Sequence, residues 1–245
     1  MNIGIFASRK NSLFDNLRFV VKNNFKWMEF RPSDFKLDSY ILKRIREISY
    51  TNKINLIIHL SSFNLNLPLS ADDLKLIKKE LEVAKIVKVK SITLHGGQLS
   101  DCYSVEKQLD FLVKNLKTMM SICKNIPLAL ENSVNGVVRG RREYITLLSY
   151  LQELKITLDI GHLILVKESV DKFIKCLHKF ICNVHLHDVK GKKDHLPIGS
   201  GNINFLKIFR CLKKVGYEGP FIFEFFSKNR LLESKEKMER WYNGL

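Results

Sequence analysis

Residues 156–162 read ITLDIGH, a short apolar run that ends in the acidic residue Asp159 and leads into a glycine and a histidine. Runs of this kind recur along the chain. They are continuously apolar, which is typical of strands buried on both faces of a parallel sheet. The eight runs are Ile3–Phe6, Trp27–Phe30, Leu56–Ile58, Ser91–Leu94, Pro127–Leu130, Ile156–Leu158, Cys182–Val184 and Phe221–Phe223.

Longer segments with a helical period fill the gaps between the runs. Residues 71–87, 105–122 and 203–215 each place their leucine, isoleucine and other apolar side chains on one helical stripe. Ser70 followed by Asp73 is the pattern of a capping box at the start of the first of these helices. Strands therefore alternate with amphipathic helices through the sequence.

This alternation predicts one α/β domain over residues 1–245, a (β/α)₈ TIM barrel, because each strand–helix unit takes about 30 residues. A doubly wound open sheet is the alternative. Such a sheet would carry a glycine-rich phosphate loop after the first strand, and Ala7-Ser8-Arg9-Lys10 is not such a loop.

The formal net charge of +16 leaves two interpretations open. A strongly basic protein can bind nucleic acid or an anionic substrate. The lysines are spread over most of the predicted helices, however, and no basic block is interleaved with aromatic residues. General surface charge is therefore favoured, and binding to nucleic acid stays open without being favoured.

The five cysteines are odd in number and form no C-x-x-C pair. Since most lie among apolar neighbours, we expect buried free thiols in a reducing cytoplasm. The N-terminal sequence MNIGIFASRK has too short an apolar stretch for a signal peptide, and no apolar run approaches the roughly 18 residues that span a membrane. We expect a cytoplasmic protein with no membrane partner; the sequence does not indicate its oligomeric state.

Six successive strands of the predicted barrel end in a residue that can bind a metal. The six are His59, His95, Glu131, Asp159, His185 and Glu224. The carboxyl ends of barrel strands meet at the active-site mouth. Three carboxylates there would repel one another and resist ionisation unless a divalent cation were present. A mixed oxygen and nitrogen ligand set suits Mn²⁺, Mg²⁺, Co²⁺ or Zn²⁺ and does not choose among them.

With these residues in place, the chain resembles the xylose isomerase-like, or class II apurinic endonuclease-like, TIM barrels over nearly its whole length. The most specific stretch runs from His185-Leu186-His187-Asp188 to residues 195–202, HLPIGSGN. The other matching segments are residues 58–60 (IHL), 66–67 (NL), 94–97 (LHGG), 130–132 (LEN), 158–162 (LDIGH), 216–217 (GY) and 223–224 (FE).

The resemblance implies a metal shared across the family and held by Glu131, Asp159, His185 and Glu224. In isomerase and epimerase members, the residues matching Glu131 and Glu224 also move protons on and off the substrate carbon. The residue matching His162 contacts the substrate in those members. The resemblance therefore implies a catalytic role for Glu131 and Glu224.

In the endonuclease branch, the residues matching His59, His95 and Glu131 hold a second metal, and those matching His162 and His195 belong to a third. His59 and His95 are therefore candidates for a second metal here, although they can equally be polar lining. For an isomerase we interpret His162 and His195 as substrate-binding residues.

Several residues near the predicted mouth keep two interpretations. Glu29 ends the second strand and either takes part in the site or pairs with Arg31. His187 lies on the same strand face as His185, and the resemblance favours His185 as the ligand. The lysines at 190, 192 and 193 form either a solvated loop or a phosphate-binding one, with the solvated loop favoured.

The favoured function is a metal-dependent isomerase or epimerase of a sugar or sugar phosphate, acting through an enediolate. The alternative is a zinc-dependent endonuclease of the endonuclease IV type that cuts abasic DNA. Against it, that branch has an aspartate where this chain has Lys193, and the loops after the first three strands are short. An aldol-type or dehydratase reaction in the same site, or a barrel used only for binding, are further alternatives.

Overall fold

The computed structural model describes residues 1–244, in which eight parallel strands close into a barrel, as the sequence predicts. The strands around the barrel follow their order in the chain, and the last pairs with the first. The barrel strands are β1 (Ile3–Phe6), β2 (Trp27–Phe30), β3 (Asn55–His59), β4 (Ser91–His95), β5 (Leu128–Glu131), β6 (Lys155–Asp159), β7 (Ile181–Leu186) and β10 (Phe221–Phe223).

Helices separate the strands in sequence, and most begin at a serine, aspartate or asparagine whose side chain accepts a hydrogen bond from the first turn. The predicted helix 71–87 is confirmed, with its capping box between Ser70 and Asp73. The helices are α1 (Leu13–Lys22), α2 (Ser39–Thr51), α3 (Ala71–Val87), α4 (Val105–Cys123), α5 (Arg141–Tyr150), α6 (Ile160–Leu165), α7 (Val170–Leu177), α8 (Phe205–Lys214) and α9 (Lys228–Asn243), with a short 3₁₀ helix at Pro32–Asp34.

A small antiparallel hairpin follows β7 and was not anticipated from the sequence. Its strands are β8 (Asp188–Lys190) and β9 (Lys193–Leu196), joined through Gly191, which has a φ of +63°. The hairpin lies outside the barrel sheet and carries His195 to the mouth. It therefore adds a short two-stranded segment to the mouth of the barrel, directly after β7.

The inside of the barrel is partly apolar and partly polar. Ile57 and Ile222 are buried and pack with Phe6 inside the barrel. Thr93 and Thr157 are hydrogen bonded to each other at 3.0 Å across the barrel. The interior thus combines a small apolar cluster with hydrogen-bonded polar side chains.

The five cysteines are free, but their burial differs from expectation. Cys123 and Cys211 are buried, whereas Cys102 and Cys176 are exposed, so the expectation of burial was wrong for the latter two. Over residues 1–244, none of the helices combines the length and the apolar character that crossing a membrane requires.

Candidate metal centre at the barrel mouth

Four side chains from β5, β6, β7 and the residue after β10 converge at the mouth. One ligand atom from each of Glu131, Asp159, His185 and Glu224 lies within 4.8 Å of the others. Nδ1 of His185 lies 3.3 Å from Oε1 of Glu131 and 3.3 Å from Oε2 of Glu224. Neighbouring ligands about 2.1 Å from a common ion are separated by similar distances, of the order of 3 Å.

Three of these atoms are buried without any hydrogen-bond partner. They are Oε1 of Glu131, Nδ1 of His185 and Oε2 of Glu224. Buried polar atoms are rarely left unpaired, because the lost hydration is not repaid. An arrangement in which such atoms face one another fits a divalent cation, which would satisfy all of them at once.

The orientation of His185 is set from behind by Glu29 on β2. Nε2 of His185 lies 3.0 Å from Oε2 of Glu29, and Nδ2 of Asn183 donates to the same oxygen at 2.9 Å. Glu29 thereby holds a proton on Nε2, so Nδ1 is the nitrogen that faces the carboxylates and that could bind a metal once its own proton has left. Glu29 thus contacts His185, not Arg31, in the arrangement of a carboxylate that orients a metal-binding histidine.

A second group of ligand atoms is formed by His59, His95 and Glu131. Nδ1 of His59 lies 2.9 Å from the carbonyl oxygen of Leu60, so this nitrogen carries the proton and donates. Nε2 of His59 and Nε2 of His95 then face Oε2 of Glu131, at 3.1 Å and 3.5 Å. The geometry therefore leaves room for a second ion beside the first, bridged by Glu131.

His162 and His195 reach the mouth from α6 and from the β8–β9 hairpin. Nδ1 of His162 lies 3.0 Å from the carbonyl oxygen of Asn132, which leaves Nε2 free to contact a ligand. Nε2 of His195 lies 3.8 Å from Oε2 of Glu224. Both rings are partly exposed, as residues that contact a substrate need to be.

His187 completes a third group with His162 and His195 by distance alone. Its two ring nitrogens are already engaged, however. Nε2 lies 3.1 Å from both carboxylate oxygens of Asp159, and Nδ1 accepts the backbone N–H of His195 at 2.9 Å. The amide N–H facing Nδ1 requires a lone pair there, so the ring proton lies on Nε2 and is donated to Asp159. His187 in this arrangement is a neutral ring that holds Asp159.

Asp188 explains the glycine-rich segment that follows the hairpin. Its carboxylate accepts four backbone N–H groups, from Val189, Gly199, Gly201 and Ile203, at 2.8–3.1 Å. A Cβ on Gly201 would overlap this carboxylate. The glycines after residue 188 thus let the loop fold around Asp188, whose two carboxylate oxygens are both occupied by backbone N–H groups.

The electrostatics of the central group follow from burial and from mutual attraction. Burial opposes the charging of His185, but Glu29, Glu131 and Glu224 outweigh it and hold its pKa well above the ordinary value. Burial likewise opposes the ionisation of Glu131, yet His95 and His185 hold its pKa well below the usual range. Protons on the histidines thus balance the carboxylates, and a divalent cation would take over that role.

Sequence reasoning placed the six strand-end residues at one mouth, and they lie there together. It did not identify Glu29 as the partner of His185, His187 as the partner of Asp159, or Asn132 as a support. Asn132 exchanges two hydrogen bonds of 2.9 Å with the backbone of Asp159. The signal available for Glu29 was an acidic residue ending an otherwise apolar strand.

The chain belongs to the xylose isomerase-like TIM barrel family, whose sequence model matches residues 17–243. Among curated proteins, the uncharacterized protein MJ1614 of Methanocaldococcus jannaschii is 38% identical over 146 residues, 58% of this chain and 57% of that protein. The probable endonuclease 4 of Thermosipho melanesiensis is 25% identical over 205 residues, 73% of this chain and 71% of that protein.

Solved structures show the same barrel. A D-tagatose 3-epimerase-like protein superposes with a TM-score of 0.86 at 24% identity, covering 99% of this chain and 97% of that one. D-psicose 3-epimerase from Clostridium cellulolyticum H10, solved with D-tagatose, superposes with a TM-score of 0.83 at 15% identity, covering 99% and 98%. Sugar epimerases are thus among the structural neighbours, and at these identities the likeness establishes the fold.

Proposed function

We propose that this protein is a metal-dependent isomerase or epimerase of a sugar or sugar phosphate. The observation that carries the proposal is the set of buried, unpartnered ligand atoms on Glu131, His185 and Glu224. With Asp159 they would hold one Mn²⁺, Mg²⁺, Co²⁺ or Zn²⁺ ion. When bound, the ion would polarise a substrate carbonyl and stabilise negative charge on its oxygen.

We assign the proton transfer to Glu131 and Glu224, and their mutual position supports this assignment. Both carboxylates contact the same atom, Nδ1 of His185, so they flank one small volume. One would remove the proton from the carbon next to the carbonyl, and the electron pair of that C–H bond would form an enediolate. In an epimerase the other would return a proton to the opposite face of the same carbon, and the carbonyl would form again. In an isomerase the proton would be returned to the former carbonyl carbon, while the hydroxyl proton moves from one enediolate oxygen to the other and a carbonyl forms at the first carbon.

The two histidines at the rim would orient the sugar. Nε2 of His162 presents a lone pair, because Nδ1 donates to Asn132, and it can accept a substrate hydroxyl. His195 stacks on His187 with ring centroids 4.3 Å apart, which fixes its plane beside Glu224. Positioning of this kind converts binding energy into correct alignment of the reacting carbon.

An abasic-site endonuclease is the second candidate, favoured by the His59–His95–Glu131 group and by the relative described as an endonuclease. The same geometry counts against this candidate at the position of the third metal of the endonuclease branch. Lys193 stands exposed on β9, and both nitrogens of His187 are engaged, so His162 and His195 lack a third donor. We therefore rank the isomerase or epimerase first.

The test measures proton exchange, which reports deprotonation of a bound sugar without requiring that the product be known. The purified protein is incubated in D₂O with ketopentoses, ketohexoses and their phosphates, and deuterium entering next to the carbonyl is measured by NMR. Glu131→Gln should abolish exchange and lower metal content, whereas Glu218→Gln, an exposed change before β10, should alter neither. Cleavage of an abasic oligonucleotide without any exchange activity would reject the isomerase in favour of the nuclease.

A further inference from the structure

A cavity of about 340 Å³ opens beside the metal centre on the β1 and β2 side of the mouth. We call it the cationic cavity; its lining is residues 6–10, Arg31, Asp34, His195, Glu224 and Phe226. Glu224 and His195 connect it to the metal centre, so a substrate held there would extend into it. Three of its lining side chains, Arg9, Lys10 and Arg31, are cations.

Arg31 lacks the partner that its position would require. Its Nε atom is buried and without a hydrogen bond, and within residues 1–244 no carboxylate forms an ion pair with it. Glu29, two residues earlier on the same strand face, is instead taken up by His185 and Asn183. A guanidinium left in this state is prepared for an anion, which it can bind with two parallel hydrogen bonds.

The loop that carries Arg9 and Lys10 is held firmly by Asn16 of α1. Oδ1 of Asn16 accepts the N–H of Ser8 at 3.0 Å, and Nδ2 donates to the carbonyl oxygens of Ser8 and Ser12. The N–H of Lys10 also donates to Oγ of Ser8 at 3.3 Å. These bonds fix the backbone of the turn, so the two cations project from a defined position at the cavity.

The opposite side of the mouth has a different character. There a second cavity of about 530 Å³ adjoins the metal centre through His95 and His162. Its remaining lining is mainly amides and hydroxyls, with Asp194 as its acidic member and no lysine or arginine among the described residues. The two cavities therefore make the site asymmetric, with hydroxyl-binding groups on one side of the metal centre and cations on the other.

We propose that the cationic cavity binds the phosphate monoester of a phosphorylated sugar, with Arg31 as its central ligand and Arg9 and Lys10 at the rim. This inference rests on the proposed function and selects the sugar phosphates within it. Asp34 and Glu224 are the carboxylates of the lining, and three cations exceed two carboxylates even before a metal is counted. The loop lysines at 190, 192 and 193 are exposed and line neither cavity, so they are not part of this subsite.

The first test uses inorganic phosphate as the probe on the metal-loaded protein, by isothermal titration. Arg31→Gln should weaken phosphate binding by about tenfold or more, and Arg9→Gln with Lys10→Gln by a smaller factor. Lys192→Gln, at the tip of the hairpin, should leave it unchanged. Equal affinity in all variants would place phosphate on the metal and overturn the proposal, as would acetate binding as tightly as phosphate.

The second test separates this proposal from the proposed function. Where exchange activity exists, Arg31→Gln should raise KM for a ketose phosphate and leave KM for the corresponding free ketose unchanged. Phosphate binding that depends on Arg31 in a protein without exchange activity would preserve the subsite and reject the isomerase. Loss of metal from Arg31→Gln would instead make Arg31 a structural partner of Glu29 and reject the subsite, as would displacement of phosphate by abasic DNA but not by sugar phosphates.

Discussion

Oε2 of Glu29 lies 3.0 Å from Nε2 of His185, and both side chains are fully buried. The contact joins β2 to β7 across the inside of the barrel. Because Glu29 holds a proton on Nε2, the opposite nitrogen of His185 is the one that faces Glu131 and Glu224, and it would present its lone pair to a bound metal once its own proton has left. A carboxylate with no access to solvent thus determines how a candidate metal ligand is presented.

Glu29→Gln should weaken metal binding without removing any candidate ligand. Gln keeps an oxygen that can accept from Nε2 of His185, but the loss of charge lowers the basicity of the ring. We expect the affinity to fall by about 10- to 100-fold, the usual effect of altering the group behind a metal-binding histidine. Competition with a chromogenic chelator measures it. Glu218→Gln serves as the control, and an unchanged affinity in Glu29→Gln would contradict the role given to Glu29.

The metal-free protein should lose stability as the pH rises above neutrality. The folded pKa of His185 is raised, so its contribution is complete below the unfolded value of about 6.5 and is lost as the pH rises through the folded value. Glu131 and Glu224 have lowered pKa values, and their contribution is lost as the pH falls below about 4.5. The metal-free protein should therefore be most stable between about pH 4.5 and about pH 6.5.

Guanidinium unfolding of chelator-treated protein at about pH 5.5 and about pH 8.5 tests whether the free energy of unfolding falls as the pH rises. We expect the higher free energy of unfolding at the lower pH. Added divalent metal should reduce or reverse the difference, because binding must displace the histidine protons and so strengthens with pH. A metal-free protein that gains stability between these two values would show that His185 is not protonated in the folded state.

The strands could be predicted closely because a barrel strand is buried on both faces and reads as a continuous apolar run. The predicted run Leu56–Ile58 is strand β3 (Asn55–His59) in the structure. The convergence of the metal-binding residue types at the strand ends follows from the topology of the barrel alone. The β8–β9 hairpin was missed because its strands are short and mostly polar, with Val189 as the one fully buried apolar side chain, and because His187 holds the N–H of His195. No local sequence signal marks contacts of that kind.

The side-chain contacts inside the site could not be predicted from the sequence, for a related reason. Glu29 could reach Arg31 by strand period, but the closure of the barrel brings His185 closer. His187 shares a face with His185, yet only the path of α6 shows that it faces Asp159. Which nitrogen of a histidine is free depends on such neighbours, and they come from segments more than a hundred residues apart in the case of Glu29 and His185.

His95→Ala should distinguish one metal ion from two. His95 is the most exposed of the candidate ligands on β3 to β6, and it touches only the second group, through Oε2 of Glu131. In a one-metal isomerase the variant should keep one ion per chain and part of its activity. Elemental analysis of wild type and variant gives the answer. Loss of an ion together with most of the activity would support a multi-metal hydrolase.

Gly161→Ala should disturb the centre through His187, although residue 161 itself carries no ligand. A Cβ at this position would overlap the imidazole of His187, which is buried and holds both oxygens of Asp159. We expect a cost of about 1–3 kcal/mol in the free energy of unfolding, as for other overpacked sites. Metal affinity should fall by about tenfold as Asp159 loses its support.

Gly191→Ala is the matched control for this prediction. Its φ of +63° makes alanine strained by about 1–2 kcal/mol, but no atom lies within contact distance of the added methyl group. Both variants should therefore lower the unfolding free energy, and only Gly161→Ala should lower the metal affinity; equal metal affinities in the two would show that Asp159 does not depend on His187.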